Sequence, residues 1–398
     1  MKNRVVFLYA NFKKVIYASF LFIVCLTLLT WSVVGTFSRA YEISYYASAV
    51  ECVSGNGGIK YSSDIFTTIK EKFNDIFGNN KQYVQDTRKI EVYPGGFPLG
   101  FTLECQGVII VAIGSVHTEI GEVKPCKDKN VKVGDVLLSV DDKIVKSAMH
   151  LQELLTESEN EVVKLSLNRD NKQIVENVEV QKEKDTGVKR LGLWVRDNAA
   201  GVGTLTYVRK DNNRFGALGH PVCDIDTGKV MPVLNGSVYK CNIVGCARGT
   251  RGYPGELRGL FLRNGYKAGD LDKNNEYGVY GNLSQEYIQN MQVEPIEVGF
   301  KDSVKTGKAQ ILCTIDGNTP EYYDIEIVKL NYQTKQDKKS MVLKVTDLRL
   351  ISKTGGIVQG MSGSPIIQNG KLVGAVTHVF VSDPTKGFGV YIDWMIDN

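Results

Sequence analysis

Hydrophobic positions divide the chain into four stretches of different period. From Val15 to Gly35 the run VIYASFLFIVCLTLLTWSVVG carries no charge for 21 residues. At 1.5 Å per residue that length crosses a bilayer, so a transmembrane helix is predicted. Further on, Ile65, Phe66, Ile69, Phe73, Ile76 and Phe77 share one face at helical spacing, which predicts a short amphipathic helix lying on the next domain, a membrane surface or a partner. Between Glu91 and about Glu183, VYPGGFPLGFTLECQGVIIVAIG and VKVGDVLLSVDDKIV read as strands. HLQELLTESE reads as a helix with Leu151, Leu154 and Leu155 on one side, and KLSLNR and IVENVEVQ as closing strands. From Leu191 to Asn398 the runs GTLTYV, FGALG, KAQILCTI, YYDIEIVKL and MVLKVTDL alternate with glycine and polar turns, predicting an all-β region consistent with two barrels.

The flanks orient this plan. Lys2, Arg4, Lys13 and Lys14 precede the apolar run, which places the N-terminus in the cytoplasm and everything after Gly35 outside. A cleaved signal peptide has an apolar core of only about 7 to 15 residues, so an uncleaved anchor is expected. Charge changes little: 48 basic minus 44 acidic residues leaves +4, with 43% hydrophobic and 23% charged. That is ordinary globular composition, which excludes a disordered chain and gives no reason to expect a nucleic-acid partner. Four histidines exclude any mechanism that needs several imidazoles. Of eight cysteines, Cys241 and Cys246 stand as C-x4-C rather than the C-x2-C of a zinc site, so no metal or other cofactor is expected; buried thiols or one bridge between these two remain open.

The chemistry concentrates near the C-terminus, in Gly355-Gly356-Ile357-Val358-Gln359-Gly360-Met361-Ser362-Gly363-Ser364-Pro365. Glycines on both sides of Ser362 let the backbone bend sharply, presenting the hydroxyl while the amides of Gly360 and Ser362 point at one oxygen. That is the layout of a nucleophile with an oxyanion hole. A serine needs a base, and His220 alone lies upstream in a glycine-bounded turn, Phe215-Gly216-Ala217-Leu218-Gly219-His220-Pro221. His117 and His150 fall in the second folded region and read as surface residues. His378 follows the nucleophile on the next strand and reads as a substrate-cleft residue. For a third member, Asp224 and Asp226 are nearest to His220 but sit in a turn, where aspartates bond their own backbone. Asp347 ends the strand-like run from Met341 to Thr346, where a carboxylate is costly without a partner such as an imidazolium.

Three resemblances follow from these residues. The segment from Glu91 resembles a PDZ domain through Pro98-Leu99-Gly100-Phe101, similar to that family's Gly-Leu-Gly-Phe carboxylate loop, and Val133-Gly134-Asp135-Val136-Leu137-Leu138. The amides of Leu99, Gly100 and Phe101 would then capture a peptide terminus beside a sheet edge; Pro98 departs from the usual glycine. The Ser362 segment and the strands Leu372–Val376 and Gly387–Tyr391 resemble trypsin-like proteases, with Met361 in place of the aspartate that pairs with a new N-terminus. As a whole, GALGHPVCDIDTG, VTDLRLISKTGGIVQGMSGSPIIQNGKLVGAVTHVF and the domain order resemble the stage IV sporulation protein B peptidases of endospore-forming bacteria.

That resemblance implies a mainly β protein. Residues 1–35 would be a cytoplasmic flank and transmembrane anchor, 36–90 a juxtamembrane linker, 91–185 a PDZ-like domain and 191–398 a chymotrypsin-like double-barrel serine endopeptidase. Its triad would be His220, Asp347 and Ser362. It would cleave its own N-terminal region and a regulatory membrane protein in the forespore intermembrane space, a signal leading to sigma-factor activation. A periplasmic-type stress protease or a non-catalytic PDZ adaptor are the alternatives; the domain order argues against the first and the presence of both His220 and Ser362 against the second.

Overall fold

The computed structural model describes residues 88–398, apart from 262–265, 332 and 334–335. The predicted anchor and the amphipathic stripe from Ile65 to Phe77 lie outside the described residues. The strands that position the site are, in chain order, β1 (Pro98–Ile113), β2 (Val136–Val140), β3 (Val162–Arg169), β4 (Lys172–Glu179) and β5 (Leu193–Arg209). They continue with β6 (Arg214–Ala217), β7 (Val233–Lys240), β8 (Lys267–Asn275) and β9 (Gly278–Leu283). The last group is β10 (Gly307–Cys313), β11 (Glu321–Leu330), β12 (Met341–Val345), β13 (Pro365–Gln368), β14 (Lys371–Phe380) and β15 (Asp383–Tyr391). Two helices matter here, α1 (Ala148–Glu157) and α2 (Leu348–Thr354).

Antiparallel pairing closes two barrels. In the first, β1 pairs β5, β5 pairs β6, β6 pairs β9, β9 pairs β8, β8 pairs β7, and β7 returns to β1. The second runs β10-β11-β12-β15-β14-β13 and closes on β10. Each has its own core: Leu103, Leu205, Phe215 and Leu271 in the first, Ile311, Leu343, Ile366 and Val376 in the second, all at most 2% exposed. Closure pairs the edges of each barrel with one another.

The PDZ-like part grows out of the first barrel rather than preceding it. The far ends of β1 and β5 leave the barrel together and join β2, β3 and β4 in the order β5-β1-β2-β3-β4. The bend falls at Gly107, whose φ of +83° only glycine adopts freely and whose Cβ would lie 2.4 Å from the Leu137 carbonyl oxygen. The register of β5 shifts opposite it, between Arg196 and Asn198. Helix α1 starts at Ser147, whose hydroxyl accepts from the His150 amide, and buries Leu151, Leu154 and Leu155 as its spacing predicts.

This arrangement corrects two expectations. Pro98-Leu99-Gly100-Phe101 is no loop: these residues sit inside β1, paired with β5 on one side, where Val202 faces Gly100, and Phe101, Gly100 and Leu99 with β7 on the other, where Tyr239 faces Gly100. Leu99 and Phe101 are barrel core, and a Cβ on Gly100 would fall 2.1 Å from the Phe261 ring. Their amides are spent on a sheet and cannot hold a carboxylate. The domain limits shift for the same reason, since Glu91–Cys105 serves the barrel while Leu193–Arg196 serves the PDZ-like sheet. The six described cysteines are free thiols, Cys241 buried and Cys246 exposed, so no bridge joins that pair.

Candidate active site

Two turns, one from each barrel, meet in a cleft. The first leaves β6 at Ala217. Leu218 and Gly219 take φ values of +71° and +70°, which reverse the chain and present His220. For Leu218 this conformation costs roughly 1–2 kcal/mol, the kind of strain a packed site sustains. Gly219 has room for no more than hydrogen without displacing its neighbours, because a Cβ there would sit 3.0 Å from Thr377 Cγ2 and 3.4 Å from Val390 Cγ1. The turn therefore lies directly on β14 of the other barrel. His220 Nδ1–H donates to the Pro221 carbonyl at 2.9 Å, which leaves Nε2 as the free acceptor. Burial, with a further contribution from Lys338, holds its pKa below the usual 6.5, so at neutral pH the ring is uncharged and can take a proton.

The second turn joins α2 to β13. Gly360 and Gly363 adopt φ values of +93° and +94°. A Cβ on Gly363 would lie 2.2 Å from the Thr204 carbonyl oxygen and 2.5 Å from the Leu218 amide nitrogen, so the two turns touch only because position 363 has no side chain. Thr204 of β5 fastens the turn: its amide donates to the Ser362 carbonyl at 3.2 Å and its hydroxyl to the Gly360 carbonyl at 2.8 Å. Met361 is fully buried. Ser364 is fully buried too, its hydroxyl donating to the Met361 carbonyl at 2.6 Å, which makes it a staple of the turn. Ser362 Oγ instead donates to the Thr377 carbonyl at 2.8 Å, and no hydrogen bond joins it to His220. The amides of Gly360 and Ser362 donate to no acceptor among the described residues, leaving two backbone donors beside the Ser362 hydroxyl, the kind of group an oxyanion needs.

The cleft holds about 510 Å³ and is lined by His220, Gly360, Ser362 and His378, with Val202 and Gly203 of β5 among its walls. The His378 ring lies 5.4 Å from that of His220, centroid to centroid, tilted by 43°. Desolvation first, then the neighbouring imidazole, depress His378 to about 4; adjacent imidazoles disfavour each other's charge. Among the described residues no group of His, Cys, Asp or Glu is placed to hold a metal ion.

The structure thus brings together His220, Ser362, Gly360 and His378, and it does not bring Asp347 to them. Asp347 caps α2, accepting from the Arg349 amide at 2.8 Å, and its carboxylate takes the Arg349 guanidinium at 2.9 Å and the Asp324 amide at 3.3 Å. Arg349 is the main reason its pKa falls to about 2. The carboxylate in the strand-end position has indeed found a cation, but an arginine two residues on rather than an imidazolium. Asp224 and Asp226 do not reach His220 either. Asp224 is buried, pairs with Arg196 of β5, and accepts from the Thr227 amide at 2.8 Å and the Asp226 amide at 3.1 Å, while Asp226 takes the other guanidinium nitrogen at 2.7 Å. Together they shape the loop after His220. Thr204, Arg196 and the Pro221 carbonyl had no one-dimensional signal, since GTLTYV reads only as a strand and a backbone carbonyl has no signature.

Comparison with known proteins places most of the described residues in two family models. The family model described as SpoIVB peptidase S55 matches residues 187–396, just over half of the chain, and a PDZ domain model matches residues 83–180. No curated protein matches the chain. Among solved structures, the Rv3671c protease of M. tuberculosis in its active form is 14% identical, covering 50% of this chain and 72% of its own at a TM-score of 0.28. The PDZ domain of an SdrC-like protein from Listeria monocytogenes is 18% identical, covering 23% of this chain and 87% of its own at a TM-score of 0.18.

Proposed function

This chain belongs to the SpoIVB peptidase S55 family, and we propose from that premise that Ser362 attacks a peptide carbonyl while His220 Nε2 takes the hydroxyl proton. The chain is a serine peptidase with a PDZ domain. In the proposed cycle the Ser362 hydroxyl rotates from the Thr377 carbonyl towards His220. The Gly360 and Ser362 amides then receive the oxyanion. His220 returns its proton to the leaving amine, and water releases the acyl group by the same steps in reverse. The Pro221 carbonyl, rather than a carboxylate, fixes the His220 tautomer. The imidazolium forms without a countercharge, consistent with a base held below its usual pKa.

The observation that carries this reading is the pair of unpaired amides beside Ser362, in one cleft with an uncharged imidazole. By the family resemblance, the substrates are the protein's own segment between Gly35 and about Ile90 and a regulatory membrane protein. The site of action is the extracytoplasmic face of a membrane that the N-terminal run anchors, in a sporulation signal that ends in sigma-factor activation. Mass spectrometry of the N-terminus of the purified extracytoplasmic fragment, comparing wild type with Ser362→Ala, tests it. A wild-type product starting between Gly35 and about Ile90 and missing from the variant is expected; a start beyond Glu104, or the same product from both, overturns it.

A further inference from the structure

The wall of the Ser362 cleft continues past His378. Strand β13 pairs with β14 only as far as Ala375, so at residues 377–380 the edge of β14 that faces away from β15 meets no strand among the described residues. The Ser362 hydroxyl rests on the Thr377 carbonyl at the start of that edge. From there the lining runs through His378 and Val379 to Val381. Val381 stands at the tip of the β14–β15 hairpin, four residues past Thr377, which is about 13 Å at 3.3 Å per residue of strand.

Val381 also belongs to a second hollow, an open shelf of about 640 Å³ lined by Arg251, Phe380, Val381 and Phe388. Its floor is aromatic: the half-buried Phe380 and Phe388 rings lie 4.6 Å apart, centroid to centroid, tilted by 48°. The turn that carries Arg251 is fastened to the hairpin tip, the Gly252 amide donating to the Val381 carbonyl at 2.8 Å. Its rim is cationic. Arg251 is exposed and pairs with no carboxylate among the described residues. Lys339 Nζ stands 4.9 Å from the Phe388 ring centroid and likewise meets no carboxylate there. Asp383, the acid at the hairpin tip, is already taken up by Lys386 at 3.0 Å and by the Thr385 hydroxyl at 2.6 Å. An exposed aromatic floor between two unneutralised cations is complementary to a large apolar side chain with a carboxylate beside it.

We propose that this shelf is a specificity subsite of the Ser362 cleft, selecting substrate chains that carry a large apolar residue beside an aspartate or glutamate about four residues from the scissile bond. The occupant is the substrate chain because Val381 lines both hollows: a polypeptide extended from Ser362 along residues 377–380 passes directly onto the Phe380 and Phe388 floor. The stretch between Gly35 and about Ile90, taken above as the self-cleaved segment, contains the required pairing twice, as Asp64-Ile65-Phe66 and Asp75-Ile76-Phe77. Exposed ion pairs are weak and apolar burial is stronger, so the aromatic half of the signature counts for more than the acidic half. This rests on Ser362 being the nucleophile.

The test uses the full-length enzyme and a hexapeptide core, selected from a random library and cut at its centre, so that a tag on either end begins about four residues from the cut. On one of the two ends, Asp-Ile-Phe is expected to raise kcat/KM about tenfold over the bare core, Asn-Ile-Phe about threefold and Asp-Ala-Ala less than twofold. No response on either end, or an equal response to all three tags, overturns the subsite. The doubly reversed enzyme, Arg251→Glu with Lys339→Glu, is expected to hydrolyse the bare core within about twofold of wild type and to prefer Lys-Ile-Phe to Asp-Ile-Phe; an unchanged preference overturns the role of the two cations. Independently of turnover, a benzophenone in place of the tag phenylalanine is expected to label the Ser362→Ala protein within 249–254 or 380–388, and labelling elsewhere overturns the site. If the double reversal abolishes binding to phosphatidylglycerol vesicles while the tag preference stays as in wild type, the shelf serves a membrane surface and the proposal falls. Reaction of a serine-directed phosphonate with Ser362, measured on the same preparation, separates the two failures: loss of labelling removes the nucleophile, whereas labelling without tag dependence removes only the subsite.

Discussion

Replacing Asp347 separates a structural carboxylate from a catalytic one. Asp347→Ala removes the N-cap of α2, worth about 1 kcal/mol. It also removes the pair with Arg349, whose side chain is 62% exposed, so that this contact adds no more than about 1 kcal/mol. The total, about 2 kcal/mol, lowers the unfolding midpoint by roughly 4–8 °C for a domain of some 200 residues. Asp347→Asn keeps a competent cap and loses about half of that. Because no contact joins Asp347 to His220, kcat/KM for both variants is expected to stay within about tenfold of wild type, whereas neutralising an aspartate that orients a catalytic histidine costs about 10⁴. The measurement pairs thermal unfolding of the full-length protein with hydrolysis of a short unstructured peptide at a temperature below both midpoints. A loss near 10⁴ with an unchanged midpoint would refute the Pro221 assignment and return the orienting role to Asp347.

Ser362→Ala is expected to abolish hydrolysis, on the scale of about 10⁶ known for triad nucleophiles, with stability nearly unchanged; Ser364→Ala should unfold earlier by the loss of a buried hydrogen bond, about 1 kcal/mol, yet still react with a serine-directed phosphonate. The acid limb of kcat/KM should fall below pH 6.5, since His220 is depressed; a limb at 7 or above would contradict the burial argument. For stability the sign is the same: the unfolded chain binds protons at His220 and His378 that the folded chain refuses, so stability falls as pH drops from about 6.5 towards the folded value, about 4 for His378, which urea unfolding across that window reads directly. Arg196→Gln leaves the buried Asp224 carboxylate unpaired and should cost about 3 kcal/mol, loosening the His220 loop and lowering kcat more than it raises KM. Gly100→Glu drives a side chain into the Phe261 ring and should abolish hydrolysis of even a short peptide, together with the native unfolding transition, rather than spare it.

Period and composition alone determined that this chain is mainly β, with one helix whose apolar face is Leu151, Leu154 and Leu155. They also singled out Ser362 and His220 as candidates for its chemistry, two residues that line one cleft in the structure. These features are local: a two-residue alternation, a 3.6-residue stripe, and a serine whose flanking glycines allow the sharp bend that other residues resist. The resemblance in the Ser362 segment was legible for the same reason, because a nucleophile turn packs its requirements into a dozen consecutive residues. Partnership across the fold was not legible. Pro98-Leu99-Gly100-Phe101 has the look of a carboxylate loop, but the register of β1 against β5 and β7 spends its amides on a barrel, and strand pairing of such separation leaves no trace in a single sequence. Asp347 ends an apolar strand as a catalytic carboxylate would, yet the cation that satisfies it is Arg349, two residues away, because the helix start turns both side chains to one side. The contact of Gly363 with Leu218 that joins the two barrels exists only once the chain has closed on itself, since the residues that make it come from distant parts of the chain.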